Sequence, residues 1–514
     1  MWLAPVFGAG LTGRVQGWIG DFFRTAWALP YWNARKTLFV LMRRRGQCPC
    51  HNPSDEGKSR AIGCEAVLGW RKPERFQRRV CPLLTKDAKA GWVCGVAPAQ
   101  VRPFWGRAWA YAGVLAVLLW LVGSLTVWGA MRGVGYRVRV GQVVWPGAWG
   151  ELRAVRAAYF VEDAQRRFAA GEATAAILSL TTAYALTPEN YGTGLILAKF
   201  QAVGNPVAAD RLFAELVRQY PAHRAETTQA WLRVLLANGR LSDVAELARA
   251  ELKSGATQPV AWLHALIFAA RLAQAPQWLE LPESARAVSA EVRAVLEVER
   301  RVLAAPTPAA AVRRVRAEEL PEKFPYARQQ RAELMLAQGL PREALALLAA
   351  STQVLEGRVL VGLALAAEAE AGLVEARQRD ARQLVDPARA PGAGELAVLA
   401  LHLIEYPEPS LLKLLIGAWA AVPNWSESAA RREATLTVLA AVAVGGSEAQ
   451  LVEVRDQAIA AKIITHAEGR RVTRAFFPQP DRAQLHALMS TVPDLPLELS
   501  YALNRLAVKL AAGR

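Results

Sequence analysis

Six side chains of the kind that bind metal ions or react with oxidants fall in one short stretch: Cys48, Cys50, His51, Cys64, Cys81 and Cys94. Zinc takes four thiolate or imidazole ligands in a tetrahedron, and this set can supply them. Cys48 and Cys81 are followed by Pro and Cys94 by Gly, residues that favour the tight turns needed to wrap a backbone around an ion. Arg43 to Arg45, Arg78 and Arg79 surround the set with positive charge, which favours thiolates. The spacing is less specific. There is no Cys-x-x-Cys pair, the intervals match no diagnostic finger, and residues 48 and 50 face opposite sides of a strand unless Pro49 turns the chain. A structural zinc site, an iron–sulfur cluster and unligated thiols all remain open. Zinc is the sharper expectation, because a short loop-rich segment has little core and a metal can replace one.

The choice depends on the compartment, and therefore on topology. Between Arg107 and Arg132 the sequence AWAYAGVLAVLLWLVGSLTVWGAM carries no charge. That is long enough to cross a hydrocarbon layer of ~30 Å at ~1.5 Å per residue. Trp105, Trp109 and Tyr111 stand near one end and Trp128 near the other, where interfacial aromatic side chains belong. The local positive charge is balanced across the span, but Arg71, Lys72, Arg75, Arg78, Arg79 and Lys86 all precede it. The expected direction therefore puts the N-terminal region in the cytoplasm and the rest outside, in a single-pass protein of the plasma (inner) membrane. Cytoplasmic thiols are normally kept reduced, so a disulfide framework is disfavoured.

The charge of the chain is lopsided. Residues 1–107 hold 18 Lys and Arg against 6 Asp and Glu, whereas the region after Arg156 is close to neutral. Of 17 tryptophans, 12 precede residue 150. The beginning, MWLAPVFGAGLTGRVQGWIGDFF, places Phe7, Leu11, Val15, Trp18 and Phe22 at helical spacing, with Ile19 and Phe23 beside them. Such a stripe suits either a helix lying in the lipid headgroups or a plain packing helix. Basic and aromatic residues together could also suggest nucleic acid, but no recognition module accompanies them and topology accounts for the charge.

After the span, YRVRVGQVVWPGAW alternates from Tyr136 and breaks at Pro146, which predicts a short strand or stalk. From about Ala154 the pattern is helical and punctuated. Gly171, Gly204 and Gly239 recur at intervals of 33 and 35 residues, and Pro188 and Pro221 are 33 apart. In FAAGEATAAILSLTTAYALTP and FQAVGNPVAADRLFAELVRQYP, small Ala176 and Ala209 follow the turn glycine, and Leu180 and Phe213 follow as large packing residues. Ala183 fits a second small position, but Leu216 does not. LLANGRLSDVAELARAELKSG and LMLAQGLPREALALLAAS are looser copies. The region resembles tetratricopeptide repeats, clearly over about 155–255 and more weakly to about 385. The resemblance implies a concave surface, lined by the first helix of each pair, that binds peptides or partner proteins. Members that clamp a terminal carboxylate use Lys and Asn there, whereas Val161, Gln165 and Ala198 occupy those positions here.

The expected fold class is mainly α, with one transmembrane helix followed by a tetratricopeptide-like α-solenoid and a small irregular cysteine-containing domain in front. The expected segments are 1–33 amphipathic and aromatic, 34–107 basic and cysteine-containing, 108–131 transmembrane, 132–153 stalk, 154–385 repeats and 386–514 further degenerate helical pairs. His223, His264, His402, His466 and His486 are scattered without HExxH, GxSxG or a phosphate-binding loop. The expectation is a membrane-anchored scaffold, not an enzyme, contacting membrane lipid and a protein partner but neither nucleic acid nor a small-molecule substrate. The alternative is a transmembrane metal- or redox-sensing protein built on the cysteines.

Overall fold

The computed structural model describes residues 9–512 apart from 43–49, 51–63, 90, 283–287, 322, 387, 389–390, 423–427 and 493–494. Cys48 and His51 lie outside the described residues. The chain divides into two compact units, 1–156 and 157–514.

In the first unit, helix α1 (Ala9–Leu41) is followed by α2 (Glu65–Leu68), α3 (Pro73–Arg79), a hairpin of β1 (Leu84–Asp87) and β2 (Gly91–Cys94), and α4 (Trp105–Val134). One face of α1, with Thr25, Ala28, Leu29, Asn33, Lys36 and Phe39, is buried, and the stripe crosses residue 33 without a break. That continuity makes a single helix of what the sequence suggested were two segments. The opposite face leaves Phe23, Trp27, Tyr31, Leu38 and Leu41 exposed. Asp21 and Arg75 form an ion pair that ties α1 to α3.

Helix α4 is long and apolar enough to cross a membrane, and the other described residues bury only 6% of its most apolar stretch. A core helix of a soluble domain would be covered. Where the alternation predicts a short strand or stalk after it, no strand forms and Val140–Val144 is a short helix, α5. The Gln142 side chain accepts a hydrogen bond from the Arg139 N–H at 2.9 Å, which caps α5. Tryptophan indoles then fasten this segment, with Trp120 donating to the Val144 carbonyl at 3.0 Å and Trp128 to Val138 at 3.2 Å. Alternation is a weak strand signal when no neighbouring strand can take the backbone hydrogen bonds.

Helix α6 (Trp149–Ala169) contains the division between the units. Antiparallel helices follow: α7 (Ala173–Leu186), α8 (Tyr191–Gly204), α9 (Pro206–Gln219), α10 (Arg224–Ala237), α11 (Leu241–Ser254), α12 (Pro259–Ala273), α13 (Ala290–Leu303), α14 (Pro308–Ala317), α15 (Pro325–Ala337) and α16 (Pro341–Ala349). The series continues with α17 (Gly357–Glu370), α18 (Val374–Leu384), α19 (Ala393–Glu405), α20 (Pro409–Ala421), α21 (Ser428–Gly445) and α22 (Glu448–Ala460). It closes with α23 (His466–Phe476), α24 (Arg482–Thr491) and α25 (Leu497–Ala512). Proline begins many of these helices, where its missing N–H costs nothing. The turns at Gly171, Gly239, Gly339 and Gly372 have positive φ, whereas the α8–α9 turn is made by Asn205, which caps α9 through Ala208 N–H.

A buried ion cluster joins three helices. Arg271 on α12 pairs with Glu299 on α13, whose side chain is 2% exposed, and with Glu333 on α15 at 3.4 Å. Gln330 donates to Glu299 at 2.7 Å. Replacing Arg271 by Leu strands the Glu299 charge, so urea unfolding of R271L is expected to show a loss of about 3–5 kcal/mol. The double variant R271L/E299L is expected to recover much of it; equal losses in the two proteins would show that the charges are not coupled.

Candidate functional site

The cysteines meet in a small core. Cys50, Cys64 and Cys81 are buried in one cluster with Ala28 and Leu29 of α1, Phe76 and Val80. The hairpin organises them. Leu84 pairs with Cys94 in the antiparallel register, and Cys64 N–H donates to the Trp92 carbonyl at 3.0 Å. Cys94 is half-exposed at the end of β2 and stands outside the buried cluster. Lys36, only 1% exposed, donates from Nζ to Cys81 Sγ at 2.9 Å and lies 5.2 Å from the centre of the Phe104 ring. Among the described residues no three His, Cys, Asp or Glu side chains gather closely enough to hold a metal ion.

In the second unit the small and large positions of the repeat do what the pattern requires. Ala176, Ala209, Leu180 and Phe213 are buried between neighbouring helices. Leu216, too large for its position, is also buried; a Cβ on Gly194 of α8 would stand 2.9 Å from Leu216 Cδ2, so the glycine makes the room. Ala198 is fully buried in the same core, which removes it from any ligand surface.

The groove itself holds helices α23 to α25. Helices α6, α8, α10 and α12 are the first members of their pairs and would line the concave face. Asn504 of α25 donates to the Leu236 carbonyl at the end of α10 at 3.0 Å, and His486 Nδ1 of α24 lies 3.0 Å from the Ala237 carbonyl. Tyr501 packs on Phe268 and His264 of α12, with ring centres 4.5 and 5.0 Å apart. Arg471 of α23 stacks over Phe168 of α6. At Gly239, with φ of +64°, a Cβ would meet the His486 ring at 2.6 Å, so the turn glycine also admits the returning helix. The sequence pattern of the repeats carries no information about what fills their concave side.

Three of the described histidines pack against aromatic rings. His223 stacks on Tyr191 at 4.1 Å, and His264 lies between Tyr326 and Tyr501. Burial, followed by the charge of Arg377, pushes His402 down to about 3. A neutral buried imidazole suits its stacking on Tyr406.

No family model matches the sequence, and no curated protein does. Among solved structures, the chain is similar to the TPR domain of P58(IPK), at 14% identity over 70% of this chain and 99% of that one, with a TM-score of 0.17. The helix pairs, turn glycines and buried small residues of this chain define the repeat. The second unit is a tetratricopeptide-like helical repeat.

Glu368 on α17 is a carboxyl displaced towards neutral pH. Burial first, then the neighbouring Asp380 carboxylate, pushes it up to about 7 from an ordinary 4.5. Folded Glu368 therefore keeps a proton that the unfolded chain has lost, and its stabilising share is complete below about pH 4.5 and lost as pH rises through about 7. Thermal unfolding at pH 5 and pH 8 is expected to show a smaller drop in Tm for E368Q than for the parent; an identical drop would remove Glu368 as the source.

Proposed function

We propose that this protein is a membrane-anchored interaction scaffold, with α4 as its single span, the N-terminal unit in the cytoplasm and the helical repeat on the other side. The observation that carries the reading is α4: an apolar helix whose surface is left almost uncovered, with Trp105 and Trp109 at one end and Trp128 at the other. Trp109 and Trp128 are separated by about 28 Å along the axis, close to the thickness of a hydrocarbon layer. The repeat then works by positioning a partner, not by chemistry. Because α23 to α25 pack into the concave face, recognition falls to the surfaces they leave open. In sealed right-side-out vesicles, carbonate washing is expected to leave the protein in the membrane, and protease added outside is expected to remove the repeat while sparing an N-terminal fragment. Release by carbonate would sink the anchor; digestion of the N-terminal fragment alone would reverse the direction.

A zinc-stabilised N-terminal unit is the second reading, and the buried Lys36 ammonium against Cys81 favours it. Zinc-bound thiolate at Cys81 would place negative charge opposite that ammonium, in a core that is otherwise apolar. Four of Cys48, Cys50, His51, Cys64, Cys81 and Cys94 would supply the ligands, and binding would have to draw the described cysteines closer together than they stand here. The metal's contribution would be to the stability of a small core, and a redox-sensing role would use the same thiols. Elemental mass spectrometry of the purified full chain is expected to find about one zinc per chain, lost in C64S and C81S. A folded protein without metal would end this reading and leave the scaffold intact.

A further inference from the structure

Between α1 and the first turns of α4 lies a crevice of about 310 Å³, lined by Phe22, Leu29, Trp105, Trp109 and Leu115, with Arg79 of α3 as its one charged residue. The lower end of the range for small-molecule sites is ~300 Å³, a size suited to one hydrocarbon chain. Specific contacts hold its walls in place. Phe104 N–H donates to Asn33 Oδ1 at 2.8 Å, the Trp105 indole to Thr37 Oγ1 at 2.8 Å, and the Arg107 guanidinium to the Arg78 carbonyl at 3.0 Å. Asn33 is 1% exposed, so the junction of α1 with α4 is built around it.

The charge in the crevice is not answered by any acidic side chain among the described residues. Arg75, one turn earlier on α3, is paired with Asp21, whereas Arg79 makes no ion pair among the described residues. An apolar slot with one cation at its edge fits an amphiphile with one anionic head. The position selects the source. The lining belongs to the first turns of the helix read as the span, beside Trp105, Trp109 and Tyr111 at headgroup depth, and Arg71, Lys72 and Arg78 add positive charge nearby. The exposed stripe of α1, Phe23, Trp27 and Tyr31, continues the same apolar surface. A soluble peptide would have to reach the crevice through this lipid-facing surface, whereas a bilayer lipid is already there.

We propose that this crevice is a site for one anionic phospholipid, with an acyl chain lying between α1 and α4 and its phosphate on Arg79. The inference rests on the reading of α4 as a membrane anchor. Bound lipid would then complete the packing of α1 on the span, so the N-terminal unit is seated partly on a lipid.

The test uses the full chain, extracted from membranes, exchanged into mild detergent and offered equimolar phosphatidylglycerol and phosphatidylcholine, with bound lipid counted by native mass spectrometry. The parent is expected to keep about one phosphatidylglycerol per chain and to prefer it over phosphatidylcholine by about fivefold, the effect of one basic side chain at a membrane surface. R79Q is expected to lose the preference, A112W to lose lipid altogether by filling the slot, and K413Q, the same charge change at an exposed residue of the second unit, to match the parent. Equal preference in R79Q and parent, or no retained lipid in a parent that resists carbonate extraction, overturns the site while leaving the anchor standing. Extraction of the parent by carbonate overturns both.

Discussion

Two backbone carbonyls at the end of α10, those of Leu236 and Ala237, receive side chains from helices that lie about 250 positions later in the chain. A carbonyl at a helix C-terminus has no partner within its own helix and must find one in water or elsewhere. Here the Leu236 carbonyl, already accepting from Gly239 N–H, also takes Asn504, while His486 and Ser490 meet that of Ala237, and Tyr501 seals the site with its ring against α12. The consequence spreads through the unit. A solenoid whose repeats touch only their neighbours is stabilised one interface at a time, whereas this one is also joined across its length by α24 and α25. Asn504 is 3% exposed and Tyr501 1%, so the C-terminal helices are part of the core, not a lid resting on it.

Charged groups inside the repeat follow the same logic. Arg271 is largely covered, Glu299 and Glu333 hold it charged, and Gln330 shares a Glu299 oxygen with it. Arg224 answers Glu251, whose side chain is 4% exposed. Such pairs contribute little net stability but penalise any arrangement of the helices that separates the partners. In an array of similar alanine- and leucine-rich helices, that penalty helps to select one stacking order from many of nearly equal burial.

The N-terminal unit solves a different problem. It has few residues for a core, and it spends them on one face of α1, on Phe76, Val80 and Leu84, and on three cysteines. Lys36 enters that core because Cys81 and the Phe104 ring receive its ammonium. The other face of α1 and nearly all of α4 stay apolar and bare, which water would penalise and lipid would not.

The sequence by itself determined the elements. Chargeless length marked α4, the period of the turn glycines and of Ala176, Ala209, Leu180 and Phe213 marked the repeat, and the stripe of aromatic residues marked α1, because each of these is a local pattern with a fixed helical period. It misread Val140–Val144, where alternation could not reveal that tryptophan indoles from α4 and a capping Gln142 would hold a helix instead. Local pattern also hid the most informative residues. Lys36, His486 and Asn504 stand as polar interruptions on apolar helix faces, and nothing beside them in the chain says which carbonyl or sulfur they reach. Only the tertiary structure decided that the groove is filled from within and that Gly239 and Gly194 make room for side chains distant in sequence. The physical reason is that a buried polar group is specified by a partner across the fold, whereas periodicity reports only which side of a helix is dry.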